Sequence, residues 1–217
     1  MEISVVIPLY NKEKYICRAI KSVMEQTNPP AEIVVIDDGS TDNSALEVQK
    51  FNDPRVRLIK QENAGESAAR NRGVAETKFD LVSFLDADDE WKPGFLGHIQ
   101  RLFNNFPDCG AYATGYEIVN FGGIVTHLNT GPIPPSPWIG IIPDFFKVMQ
   151  FGNIICSSSI AMMKSIFYDL KEFPKDVVQG ADRMMWVKLG MRYPIAYSAS
   201  SQSIVHADAT NRASVPF

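Results

Sequence analysis

A chain of 217 residues, 45% apolar and 21% charged, can bury one globular core, and its net charge of −4 offers no basic face for nucleic acid. No apolar run approaches the ~20 residues a membrane helix needs, and the N-terminus enters a strand pattern at once, so neither a transmembrane segment nor a signal peptide is read. Cys17, Cys109 and Cys156 are odd in number, far apart and without a Cys-x-x-Cys pair. They read as small buried hydrophobes in a reducing cytosol rather than as a disulfide or a metal site.

In chain order, residues 3–9 read as a strand. Tyr15, Ile16, Ala19, Ile20, Val23 and Met24 recur at helical spacing and predict an amphipathic helix that ends before Pro29-Pro30. A strand over 33–36, a helix to about residue 51, a short strand over 56–59 and a helix over 67–75 follow. A strand over 81–85 then leads to a helix over 93–106, with Pro93 in its first turn. This alternation predicts an α/β fold with a mostly parallel sheet. Beyond Cys109 the pattern changes. Residues 112–121 and 123–128 read as antiparallel strands around Gly122-Gly123. Pro132, Pro134, Pro135, Pro137 and Pro143 punctuate a loop. A short helix over 145–151, a strand over 154–162 and a helix over 182–191 complete the reading.

The chemistry is concentrated in two acidic turns. Asp86-Ala87-Asp88-Asp89 follows the apolar run 81–85, and Asp37-Asp38-Gly39-Ser40-Thr41-Asp42 follows the run 32–36. Three carboxylates in four residues repel one another unless a cation is near, and carboxylate oxygens suit Mg²⁺ or Mn²⁺ better than zinc or copper. Alone, the tetrad could equally be a solvated turn. In an open α/β sheet, however, ligands bind at the carboxyl ends of the strands. Two acidic strand ends facing one pocket suit a nucleoside, whose base N–H and ribose hydroxyls donate hydrogen bonds. They suit a diphosphate only with a divalent cation between.

Four blocks together carry a resemblance: Ser4-Val5-Val6-Ile7-Pro8-Leu9-Tyr10-Asn11, Val34 to Asp42, Asn63-Ala64-Gly65 with Ala69-Arg70-Asn71, and Phe84 to Asp89. In this order and spacing the chain, over roughly residues 3 to 210, resembles glycosyltransferase family 2. The resemblance implies a GT-A fold with a mostly parallel central sheet, flanking helices and a small antiparallel acceptor-side region. It implies a single domain, 1–217, with a nucleotide-binding half (1–108) and an acceptor-binding half (109–217). Members commonly run further, so a C-terminal segment is expected to be missing.

The resemblance also implies roles. The donor is a nucleoside diphosphate sugar, with a UDP-sugar favoured. The acceptor is a carbohydrate or lipid-linked hydroxyl of a surface polysaccharide or glycoconjugate, and the reaction inverts the anomeric carbon. Asp38 would receive the base N–H, with backbone around Pro8 and Tyr10 cradling the ring. Arg70 would face the nucleotide, against a surface ion pair as the plain alternative. Asp86, with Ala87 beside it, would approach the ribose or the metal, Asp88 would ligate Mn²⁺ or Mg²⁺, and Asp89 would be structural. Asp182 would be the catalytic base; from spacing alone it also reads as a helix N-cap. The family carries Glu-Asp there, and this chain has Ala181 in place of the Glu.

His206 could bring a late imidazole to the metal or could simply pack, while His98 and His127 have no partner pattern. Trp91 and Trp138 could stack on a sugar or acceptor; Trp186 lies at core spacing. Spanning helices and a Gln-x-x-Arg-Trp motif are both missing, which disfavours processive synthesis. A cytoplasmic enzyme follows, with Trp138, Ile139, Ile141 and Ile142 available for peripheral contact at the inner face of the membrane. Two rivals stand beside this reading. A nucleotidyltransferase is disfavoured because the loop Tyr10-Asn11-Lys12-Glu13-Lys14 lacks glycine. A non-catalytic nucleotide-sugar binder fits if Asp182 is only a cap.

Overall fold

In the computed structural model, which describes residues 1–177 and 179–209, the first half of the chain runs β1 (Ile3–Leu9), α1 (Ile16–Met24), β2 (Glu32–Asp38), α2 (Ser44–Gln49), β3 (Val56–Gln61), α3 (Glu66–Glu76) and β4 (Leu81–Phe84). It continues with β5 (Glu90–Trp91), α4 (Phe95–Asn105), β6 (Ala111–Val119), β7 (Val125–His127), β8 (Ile139–Ile141) and α5 (Phe145–Met149). The last elements are β9 (Ile160–Met163), α6 (Lys164–Asp169), α7 (Ala181–Arg192) and β10 (Ile195–His206).

β1 and β2 are buried along their whole length, as strands covered by helices on both faces must be. β1 pairs in parallel with β2 and β4, and β2 in parallel with β3. β9 lies antiparallel to both β4 and β6, and β10 returns parallel to β6. The resulting order, β3-β2-β1-β4-β9-β6-β10-β5, is the mostly parallel sheet the sequence predicts, with β7 and β8 paired to its acceptor-side strands.

Period-two alternation divides the core between the two faces. Val5, Ile7 and Leu9 pack with Ile16, Ile20 and Ile99 of α1 and α4. Val6 packs on the opposite side with Val74 of α3 and with Met185, Trp186 and Leu189 of α7. Gly73 sets how closely α3 approaches the sheet: a Cβ there would stand 2.2 Å from Val6 Cγ1, so only glycine fits.

Several elements depart from the sequence reading. Residues 154–162 do not form one strand. Ser157–Ser159 is a 3₁₀ turn, with the Ser159 hydroxyl serving both the Cys156 N–H and the Cys156 carbonyl, and β9 starts only at Ile160. The proline-rich segment carries an unanticipated edge strand, β8, laid along β10. Ile142 is buried there and Trp138 packs against the core, so of the four residues considered for membrane contact only Ile141 is exposed. No helix among the described residues is long and apolar enough to cross a membrane.

Candidate functional site

The carboxyl ends of β1, β2 and β4 deliver their loops to one edge of the sheet, beside the N-terminus of α3. Pro8 lies past Val6, the last β1 residue paired with β4, so its missing N–H costs no ladder bond on that side. The Asn11 carboxamide oxygen accepts the Thr41 N–H at 2.8 Å, and the Ser40 hydroxyl accepts the Asn11 N–H at 3.1 Å, stitching the loops after β1 and β2. Tyr10 is 41% exposed at this rim.

Asp38 is buried, and its carboxylate holds the loop ahead of α3. Oδ1 accepts from Gln61 Nε2 at 2.7 Å and from the Ala64 N–H at 2.9 Å, and Oδ2 accepts the Gly65 N–H at 2.9 Å. Gly39, at φ 74°, lets the β2 turn pass under that loop, where a Cβ would stand 2.9 Å from the Asn63 nitrogen. Asp38 therefore fixes the backbone of residues 64–65.

Arg70 is a buried guanidinium rather than a surface partner. Its Nη2 donates to Glu66 Oε1 and to Asp86 Oδ1, both at 2.7 Å, and the guanidinium lies 5.4 Å from the Phe173 ring centroid. Burial opposes its charge, but Glu66, Asp86 and Asp182 outweigh it and move the pKa upward. Asp88 Oδ2 accepts from Lys12 Nζ at 2.8 Å, and its carbonyl accepts from Arg18 Nη2. Ala87 is buried between the two aspartates. Asp89 is structural, accepting the Ser158 hydroxyl at 2.6 Å and the His206 N–H at 3.1 Å.

Asp182 lies in the first turn of α7 but does not cap it. Gly180 occupies the cap position at φ 80°, and among the described residues Asp182 Oδ1 accepts the adjacent Arg183 N–H, at 2.8 Å. Its carboxylate lies near enough to act electrostatically on Glu66 and Arg70, so Asp182 neighbours the cluster of Glu66, Arg70, Asp86 and Asp88, and the space among them is the candidate cleft.

Two members of this group were missed in the sequence. The i, i+4 spacing of Glu66 and Arg70 could have found the first; no spacing signal pairs Lys12 with Asp88, 76 positions away. Arg70 draws the Glu66 carboxyl down, yet burial and the carboxylates of Asp86, Asp182 and Asp88 prevail and raise it. Its side chain is still 46% open to solvent, as expected at the mouth of a cleft.

Other candidates are committed elsewhere. His206 Nε2 lies 2.8 Å from Glu90 Oε1. Trp91 is buried, stacked 4.0 Å from Phe95, with Nε1 donating to the Ser158 carbonyl at 2.7 Å, so it has no face for a sugar. Trp138 packs over Gly140 and Trp186 is in the core. His98 Nδ1 meets the Ser198 hydroxyl at 3.0 Å, and His127 lies exposed 3.8 Å from Glu117. All three cysteines are free thiols.

No group of three or more His, Cys, Asp or Glu among the described residues forms a ready metal cage. Asp86 and Asp88 each spend one carboxylate oxygen on a protein cation, and among the described residues the other has no hydrogen-bond partner. Such a pair fits an ion held chiefly by a diphosphate, as Mg²⁺ prefers, and does not fit a protein-only site.

A family model described as glycosyl transferase family 2 matches residues 4–170. The uncharacterized glycosyltransferase alr2836 of Nostoc sp. strain PCC 7120 is 45% identical over 186 residues, which cover 82% of this chain and 55% of that protein. TuaG of Bacillus subtilis, a putative teichuronic acid biosynthesis glycosyltransferase, is 34% identical over 120 residues, covering 54% of this chain and 47% of its own. This chain thus spans about half the length of either relative. The crystal structure of Staphylococcus aureus TarS residues 1–349 in complex with UDP-GlcNAc superposes with a TM-score of 0.77 at 21% identity, covering 100% of this chain and 62% of that one. The family match over most of the chain and the shared sheet agree: the chain belongs to glycosyl transferase family 2 and has the GT-A fold.

Proposed function

We propose that the cleft binds a nucleoside diphosphate sugar, a UDP-sugar first, and transfers the sugar with inversion to a hydroxyl of a carbohydrate or lipid-linked acceptor in surface polysaccharide or glycoconjugate synthesis. The carrying observation is the convergence of Arg70, Asp86, Asp88 and Asp182 where β1, β2 and β4 end. The UDP-GlcNAc complex of TarS supports the donor class. The rim at Pro8 and Tyr10, with the loop held by Asp38, would seat the nucleoside.

Arg70 and Lys12 offset the cleft's carboxylates and keep the tetrad turn in place. Asp182 would accept the proton of the attacking hydroxyl, the task general-base catalysis assigns to a positioned carboxylate. Asp86 and Asp88 would hold Mn²⁺ or Mg²⁺ through their remaining oxygens, with His206 recruited only by leaving Glu90. When bound, such an ion supplies Lewis-acid stabilisation of the departing diphosphate. The site of action proposed is the cytoplasm, peripheral to the inner face of the membrane.

The test is UDP release from a panel of UDP-sugars with saccharide acceptors, by wild type and Asp182→Asn. Turnover of one donor that the variant loses supports the reading. Equal turnover by both proteins would remove Asp182 from the mechanism, and no release from any donor would count against the UDP-sugar assignment.

A further inference from the structure

A hollow of about 490 Å³ opens between α1 and the segment containing β5. Lys14, in the turn ahead of α1, and Arg18 and Lys21, three apart on α1, line one wall. Trp91 and Pro93 form part of the other wall. Among the described residues Lys14 and Lys21 form no ion pair, although the protein as a whole is acidic. Arg18 donates through Nη2 to the Asp88 carbonyl, while among the described residues its buried Nε has no partner.

Two carboxylates, Glu25 and Glu90, share the lining with the three cations and leave a net excess of one positive charge; Glu90 is also engaged by His206 Nε2 at 2.8 Å. Three cations around a half-open hollow, with donors to spare, match a phosphate group: it accepts from several N–H donors at once and gains from charge assistance.

We propose that this hollow is a phosphate-binding site separate from the donor cleft. Two sources offer that chemistry, free phosphate and the headgroup of an anionic phospholipid.

The experiment compares wild type with Lys14→Glu/Lys21→Glu, leaving Arg18 intact because it also anchors the Asp88 turn. Inorganic phosphate is titrated by calorimetry. In parallel, flotation is measured on phosphatidylcholine vesicles with and without phosphatidylglycerol. UDP affinity and thermal unfolding of both proteins provide the controls. The proposal expects wild type to bind phosphate, phosphatidylglycerol vesicles or both, and the variant to bind about tenfold or more weakly with both controls unchanged. Binding of phosphate alone identifies a free anion as the ligand; vesicle binding alone identifies a headgroup. Wild type binding neither probe, or the variant binding as well as wild type, would overturn it.

Discussion

Replacing Asp38 separates two accounts of the same residue, one that touches the ligand and one that shapes the pocket. The carboxylate accepts three hydrogen bonds, from Gln61 Nε2 and from the N–H groups of Ala64 and Gly65. A hydrogen bond to a charged partner contributes about 1.5–3 kcal/mol. Ala64 and Gly65 are exposed, so water recovers part of that in the variant, and Asp38→Ala is expected to cost about 3 kcal/mol. For a chain of this size that lowers Tm by roughly 6–12 °C. Asp38→Asn is the sharper probe. Its amide oxygen keeps Gln61 and the Ala64 N–H, while its amide nitrogen meets the Gly65 N–H, so about a third of the loss should appear. Calorimetric unfolding and UDP titration on both variants provide the readout, with affinity expected to fall in step with stability. The reasoning fails if Asp38→Ala unfolds within about 1 °C of wild type. It fails equally if Asp38→Asn keeps its Tm but loses UDP, since Asp38 would then contact the nucleotide directly.

Two further outcomes follow from the same geometry. Asp182→Asn should lower turnover by roughly 10²–10⁴-fold, measured by UDP release, because Asn keeps an oxygen for the Arg183 N–H while the carboxylate that would accept the proton is lost. Glu32→Gln should flatten the acid limb of stability. Burial alone would raise the Glu32 carboxyl, but hydrogen bonds from the Lys78 N–H, the Ser4 hydroxyl and Arg57 hold it below its ordinary value of 4.5. A depressed carboxyl adds stability above its unfolded pKa that is lost as pH falls through the folded one. Wild type should therefore weaken below about pH 4.5 in denaturant titrations, and the variant should weaken less there.

What was legible in the sequence and what was not divide along physical lines. β1 and β4 are short apolar runs, so their strands and the acidic turns after β2 and β4 could be read directly. β10 could not. Its Ser198–Ser203 stretch is polar and its register against β6 shifts twice, which breaks the alternation a strand is recognised by. β8 hid among prolines because an edge strand of three residues tolerates them nearby. At the site, the aspartates announced themselves, but their partners did not. That Arg70 reaches Asp86, that Lys12 meets Asp88 across 76 positions, and that Trp91 turns inward to bond the Ser158 carbonyl all depend on packing between separate segments. The spacing around Asp182 suggested a cap; the backbone of Gly180 took that role instead.

The central claim is a donor site built on the tetrad, and calorimetric titration of UDP with and without Mn²⁺, on wild type and Asp88→Ala, tests it most directly. Mn²⁺-dependent binding by wild type, weakened about tenfold or more in the variant, is the result the account predicts. Absence of UDP binding by wild type under either condition, or equal binding by both proteins, would contradict it.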